Sequence, residues 1–550
     1  MSPGHPPHQS VLSTQQRPST QQRVKTLTIA AGSSPATTAQ RRRRRRVGAA
    51  VAGALVTMLT LSGCVTAFLP EPPPATSTPT GEDVDAALQP FYSQTVSWSG
   101  CGGGMQCATV EAPLDWAEPA SGSIELAIVR QPALGEKIGS LLVNPGGPGG
   151  SGYNFVKDSV DYATDERLQE RFDVVGFDPR GVGRSTGVSC YDAAGMDEYL
   201  YGVSENERGS DAWIAEMTDS ARNFGEACAD GTGALLAQVG TENAARDLDL
   251  LRAVLGDEKL FYLGYSYGTF LGAVYADLFP GKTGRLVLDG AIDPSTSNFE
   301  VTKTQAQGFE SALRAYLSDC LQSSECPFDG TVDSGMQTVG ALLDSVDASP
   351  IRAADGRELG GSTLFTAIIY PLYDANAWGM LSDMLESVMH GDAEMAFEFA
   401  DAYNGRNADG SYSDNSTEAF MAVNCMDYSY NADPTLMREQ AVAMDEAAPV
   451  IGRYMSYGDI SCASWPYSFQ GERGEIHADG SAPMLVIGTT NDPATPYVWA
   501  EALAEQLENG HLVTYQGEGH TAYNKSNDCI ADTVDDFLID GTVPAADPMC

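Results

Sequence analysis

Lys259-Leu-Phe-Tyr-Leu-Gly264-Tyr-Ser266-Tyr-Gly268-Thr-Phe-Leu-Gly-Ala-Val-Tyr-Ala-Asp-Leu-Phe279-Pro280 is the stretch on which the reading of the chain turns. Residues 259–263 are an apolar, aromatic run of strand length. Residues 269–279 space their apolar side chains as a helix does and stop at Pro280. Between them, Gly264-Tyr-Ser266-Tyr-Gly268 fits Gly-x-Ser-x-Gly. A sharp strand-to-helix turn needs small residues on both sides of the serine, because strand and helix nearly touch there. Such a turn lifts Ser266 Oγ to the C-terminal edge of a sheet, with a helix N-terminus behind it. An ordinary Gly-Ser turn fits the same five residues; the strand before and the helix after favour a nucleophile.

Upstream, 107–115 and 123–130 alternate like an antiparallel pair. Gly139-Ser-Leu-Leu-Val143 reads as a buried strand running into Asn144-Pro-Gly146-Gly147-Pro-Gly-Gly150-Ser-Gly152. So much glycine lets backbone N–H groups approach a ligand. The lysine and Ser/Thr of a phosphate-binding loop are missing, so an oxyanion loop fits better. Phe172–Phe177 is a further strand, ending in Asp178-Pro-Arg180-Gly-Val-Gly-Arg184-Ser185, a rigid turn or a direct contributor to the site. Thr241 to Leu255 places Ala245, Leu248, Leu251 and Leu255 on one helical face, closed by Gly256. Arg285-Leu-Val-Leu-Asp289-Gly follows the serine helix. Short apolar strands alternating with amphipathic helices indicate an α/β fold with a mostly parallel, doubly wound sheet.

That rhythm breaks over 297–478, where helical stretches such as Gly308–Asp319 and Met380–Tyr403 dominate. This reads as a largely helical cap inserted over the sheet edge at which ligands bind in such folds. Strands return at Pro483–Gly488 and His511–Tyr515, separated by a helix over Tyr497–Leu507, and a last helix spans Cys529–Leu538. The expected body is therefore 89–296 and 479–550.

A serine hydroxyl needs a base, and the base needs an orienting acid. In a Gly-x-Ser-x-Gly sheet the chain order is serine, acid, histidine. Of six histidines, His5 and His8 lie in the N-terminal leader, and His390 and His477 precede the late strands. His511 opens a strand, whereas His520 follows one in Gly517-Glu-Gly519-His520, so His520 is the expected base. Asp492 in Thr489-Thr-Asn-Asp492-Pro-Ala-Thr495-Pro496 sits on the loop after the preceding strand, as the acid should; a turn aspartate is the alternative. The oxyanion donors are the N–H of Tyr267 and one from the 146–147 pair.

Residues 1–40 are rich in Ser, Thr, Gln and Pro without apolar periodicity and are expected to be disordered. Arg41–Arg46 precedes an apolar run, Val47 to Gly63, and then Cys64. A basic segment followed by that length of apolar chain is a secretory signal, 1–63, more readily than a nucleic-acid site or a membrane span. Leu61-Ser-Gly-Cys64 resembles the bacterial lipobox, whose cysteine is lipidated and becomes the mature N-terminus. The Pro/Ser/Thr-rich residues 64–88 would then be a disordered tether. Nine of the 32 basic residues lie in 1–63, which holds no acidic residue, so 23 basic face 74 acidic residues beyond it, a balance of −51. That excess argues against nucleic acid and anionic lipid surfaces as partners, leaving a membrane contact through the lipid alone. Eleven cysteines less Cys64 leave ten, and proximity suggests the pairs Cys101–Cys107, Cys190–Cys228, Cys320–Cys326, Cys425–Cys462 and Cys529–Cys550. None has zinc-site spacing with histidine, and no metal or cofactor is expected.

Taken together, Asn-Pro-Gly-Gly-Pro-Gly-Gly-Ser-Gly, Asp-Pro-Arg-Gly-Val-Gly-Arg-Ser, Gly-Tyr-Ser-Tyr-Gly and Asp-Pro-x-Thr-Pro with Gly-x-Gly-His resemble the exported tripeptidyl aminopeptidases of actinobacteria. These form a branch of the α/β-hydrolase superfamily near the prolyl aminopeptidases. The resemblance spans 88–550. It implies a Ser266–Asp492–His520 triad, a second oxyanion donor at Gly147, and peptide substrates with a free N-terminus. The prolyl branch begins its glycine loop with His where Pro145 stands here, which weakens transfer of strict proline specificity. A carboxylesterase or lipase with the same triad is the alternative activity, and a non-catalytic binding lipoprotein the alternative class. An exopeptidase needs a buried carboxylate for the substrate ammonium. Asp427, in Asn424-Cys425-Met426-Asp427 at the end of the insertion, is the candidate, with a structural aspartate beside a cystine as the other reading.

Overall fold

The computed structural model describes residues 73–550 except 470 and 472. The expected leader, its arginine run and Cys64 lie outside the described residues. Ten strands form the main sheet: β1 (Ala75–Thr76), β2 (Ser97–Gly100), β3 (Gln106–Pro113), β4 (Ser123–Gln131), β5 (Gly139–Asn144), β6 (Phe172–Phe177), β7 (Leu260–Tyr265), β8 (Thr283–Asp289), then, after a small cap hairpin of β9 (Ile351–Arg352) and β10 (Glu358–Leu359), β11 (Met484–Asn491) and β12 (Gly510–Glu518). Their order is β1-β2-β3-β4-β6-β5-β7-β8-β11-β12. From β6 to β12 every neighbour is parallel, and β4 pairs antiparallel with β6.

The parallel strands are covered on both faces, so β5 and β6 are buried along their whole length. Their side chains alternate between two apolar layers. Leu142, Val175, Tyr262 and Val486 face one, with the helices Thr241–Leu255 and Tyr267–Leu278. Leu141, Val174, Leu263 and Ile487 face the other, with Gly152–Ala163 and Asp528–Asp540. This is the mostly parallel, doubly wound sheet that the alternation of strands and helices predicts, and it fits the α/β-hydrolase fold that the motif resemblance implies.

The Asp178–Ser185 turn proves structural. Arg180 is fully buried and forks onto both oxygens of Asp247 at 2.7 Å while donating to the carbonyls of Pro113 and Leu114. Asp178 accepts from Ser151 Oγ, Tyr153 N–H and Arg184 N–H, tying the end of the glycine loop to this turn.

Three expectations need correction. Residues 73–88 are not a free tether: β1 pairs with β2, Thr80 N–H donates to Ala253, and Glu82 binds both Arg252 and Lys282 at 2.6 Å. Arg252 is fully buried and bonds both Asp249 and Glu82, which holds the segment carrying Glu82 on the body. The stretch 380–403 is two helices, Trp378–Met389 and Glu394–Asn404, broken where Gly391 takes φ +83°. Finally, the insertion is not one body. Asn298–Cys320, Gly361–Leu372 and their neighbours build their own core. Residues of Ser416–Asp427, with Cys462 and Trp465, join the hydrolase core instead. All five expected disulfides are present.

Candidate active site

Ser266 follows β7 and opens the helix Tyr267–Leu278 with φ +56° and ψ −123°, a conformation rare for any side chain. The turn holds because its carbonyl accepts from Thr269 N–H and Thr269 Oγ1, and its N–H donates to the Asp289 carbonyl at 2.8 Å. Its flanking glycines are forced by contact: a Cβ on Gly264 would stand 2.4 Å from the Gly268 carbonyl oxygen, and one on Gly268 2.8 Å from Asn144 Oδ1.

The glycine loop after β5 lies against this turn. A Cβ on Gly146 would meet Ser266 Cβ at 2.9 Å. The Gly146 N–H is taken by Asn144 Oδ1 at 2.9 Å. The exposed Gly147 has no hydrogen-bond partner for its N–H among the described residues. Tyr267 is the first helical residue, so its N–H has no acceptor within the helix. Both expected oxyanion donors thus sit on the elements flanking the serine.

His520 follows β12 and Asp492 follows β11. His520 Nδ1 lies 2.9 and 3.1 Å from the two Asp492 oxygens and 3.2 Å from Thr495 Oγ1. Asp492 is fully buried and accepts further from the N–H groups of Ala494, Thr495 and Thr521. Burial would raise its pKa, but the His520 charge and these hydrogen bonds outweigh it and hold the carboxyl below its ordinary range. Nε2 has no partner among the described residues, and Ser266 Oγ makes no hydrogen bond to the ring there. Free structures often show such loose contacts.

Two residues not anticipated hold the histidine loop. Asp289, at the end of β8, accepts from Ala522 N–H and Tyr523 N–H at 2.8–3.0 Å. It therefore bridges the serine turn, through its carbonyl, and the histidine loop, through its carboxylate. Tyr373, just after Gly361–Leu372, accepts the His520 N–H at 2.9 Å and sets its ring edge-on to the imidazole at 5.3 Å. Asp289 carries a faint sequence signal, an Asp-Gly pair ending a buried strand; Tyr373 carries none.

Asp427 does not face this site. It is buried and accepts from Thr241 N–H at 2.9 Å and Thr241 Oγ1 at 2.6 Å, capping the helix Thr241–Leu255. That helix is preceded by Gly240, which has no side chain to cap it, and the insertion supplies the missing acceptor. Thr241 Oγ1 also bonds the Tyr267 hydroxyl. The ammonium-binding expectation for Asp427 is therefore withdrawn. Beside His520 instead opens a cavity of about 690 Å³, lined among others by Pro145, Phe155, Tyr265, Tyr373 and Lys525.

The sequence profile described as TAP-like protein matches residues 448–550. Serine protease Hip1 of Mycobacterium tuberculosis is 36% identical over 486 residues, 84% of this chain and 92% of that one. Carboxylesterase B of the same species is 36% identical over 455 residues, 81% and 86% of the two chains. Tripeptidyl aminopeptidase of Streptomyces lividans is 31% identical over 460 residues, 81% and 83%. With the sheet, the serine turn and the histidine–aspartate pair in place, this similarity along the chain's length makes it a serine hydrolase of the tripeptidyl aminopeptidase-like α/β-hydrolase family.

Proposed function

We propose that the protein is an exported serine exopeptidase that releases short peptides, tripeptides among them, from free N-termini. The observation that carries the reading is the buried Asp492 carboxylate paired with His520 Nδ1 beside the strained Ser266 turn. Ser266 is the nucleophile, and its Oγ attacks the scissile carbonyl as His520 Nε2 takes the proton. Asp492 fixes the tautomer and stabilises the imidazolium. The N–H groups of Gly147 and Tyr267 receive the oxyanion. His520 then protonates the leaving amine, and water repeats the sequence to free the acyl part.

Two relatives named as peptidases support a peptide substrate. Export is supported by the arginine-led apolar segment and the five disulfides, and the anchor by Cys64, on which labelled palmitate should appear. The relative named Carboxylesterase B favours a second reading, ester hydrolysis by the same triad.

The deciding experiment compares free-amine tripeptide amides, their N-acetyl forms and short-chain esters. Loss of one charged hydrogen bond to the ammonium predicts a fall of about 10- to 150-fold in kcat/KM on acetylation. Equal rates for free and acetylated peptides, with esters faster, would replace the exopeptidase by the esterase. Ser266→Ala should abolish turnover and labelling by a fluorophosphonate; retained turnover would remove Ser266 from the mechanism.

A further inference from the structure

The cavity beside His520 has a definite polarity. His520 gives its proton to the leaving amine, so the part of the substrate beyond the scissile bond lies on the histidine's side. That side is walled by a run of aromatic rings starting next to the nucleophile. Tyr265 meets Phe155 edge-on at 5.9 Å, Phe155 meets Tyr162 edge-on at 6.1 Å, and the Lys525 ammonium stands 5.6 Å from the Tyr162 ring centre. Lys525 Nζ donates to the Tyr162 hydroxyl at 3.2 Å and is paired with no carboxylate among the described residues. Tyr162 is 54% exposed, a large ring left open at the rim.

The placement of Lys525 is held by its neighbour. Asn524 takes φ +59°, which turns the chain sharply, and its Nδ2 donates to the carbonyls of Asp161 and Tyr162. Lys525 and Tyr162 are thus tied together across 363 residues of chain. Lys525 is exposed on the cavity wall, so its ammonium is open to a ligand. The carboxylates that share the cavity, Asp374 and Glu518, are each engaged, by Asn376 N–H and by the Asn491 side-chain amide.

We infer that this aromatic channel is the leaving-peptide subsite, and that Lys525 binds the terminal carboxylate of a short leaving peptide. The two ends of a peptide differ in charge: an acyl part released from a free N-terminus begins in an ammonium, whereas the leaving part ends in a carboxylate. A cation on the wall of the leaving side matches that asymmetry, and the rings suit an apolar segment between the scissile bond and the carboxylate. The inference rests on the peptidase reading above.

The test uses the full chain and peptides sharing one N-terminal tripeptide, with one to four alanines beyond the scissile bond ending in a free acid or an amide. Release of the tripeptide is followed by chromatography. At the best length the acid should exceed the amide about tenfold or more in kcat/KM, as expected for a charge-assisted contact. Lys525→Met should bring the ratio near one, chiefly through KM, and Lys525→Arg should keep it. Because the ratio is internal to each variant, a change in overall folding does not mimic the result. Equal rates for acid and amide at every length, or a ratio untouched in Lys525→Met, would overturn the subsite. A free-amine tripeptide anilide, whose leaving group carries no carboxylate, separates the two readings. Turnover of the anilide without an acid preference overturns the subsite and leaves the peptidase reading standing, and no turnover of any peptide rejects both.

Discussion

Burial makes the Asp427 carboxylate reluctant to ionise, and its two hydrogen bonds from Thr241 offset only part of that, so its pKa is pushed up to about 6 from an ordinary 3.8. The folded protein therefore binds a proton here more tightly than the unfolded chain does. The stability this contributes is fully present below the ordinary value and is lost as pH rises to about 6. Asp427→Asn should remove that slope. The stability lost by the variant, measured by denaturant unfolding, should be larger near pH 4 than at pH 7; a pH-independent difference would contradict the assignment. As a cap, Asp427 acts on free-amine and N-acetyl peptides alike, so the variant should slow both by similar factors and lower the melting temperature. Selective damage to free-amine substrates would restore it to the ammonium site.

Among the elements, the serine turn and the histidine loop meet on the end of β8. Asp289→Asn keeps shape but leaves an N–H of the 522–523 pair without its carboxylate oxygen. Shifts near 1 Å at a reacting centre cost on the order of 100-fold. We expect kcat to fall about 10- to 100-fold, with KM little changed, at temperatures well below melting. A variant that melts earlier but keeps its kcat would show Asp289 to be structural only. The sequence made the serine turn legible because sterics leave glycine no substitute at 264 and 268, and the strands because burial on both faces makes them continuously apolar. His520 and Asp492 followed from chain order along the sheet. For Asp427 the sequence left a binding and a structural reading open, because nothing local tells which distant helix start a carboxylate will cap; its partner Thr241 lies 186 residues away. Tyr373 was invisible for a similar reason, since it acts through a backbone carbonyl that any residue carries.

At the scale of the molecule, the segment before β2 is part of the fold. Arg252 is fully buried between Asp249 and Glu82, and Glu82 brings the N-terminal residues onto the body. Glu82→Ala should cost about 2 kcal/mol, less than a deeply buried pair would because Glu82 is partly open, and lower the melting temperature by about 2 °C, the small shift expected of a chain this long. An unchanged melting temperature would mean that Asp249 alone balances the charge.

The insertion reaches the chemistry in at least three places: the Tyr373 carbonyl holds the His520 N–H, Gly149 of the glycine loop packs against the Ser416 carbonyl and Phe420, and the helix Asn298–Cys320 lies on the Asp492 loop, where Gln305 donates to the Ala494 carbonyl and Gly308 packs against the Asp492 and Pro493 carbonyls. For protein engineering this makes the cap a poor cassette. A cap transplanted from a relative to change specificity carries its own backbone at these places, and a misplaced carbonyl at 373 would unseat the imidazole before the new pocket met a substrate. Chimeras that keep the segments around 305–311, 373 and 416–420 from this chain, and exchange only the helices beyond them, are the ones whose turnover should survive.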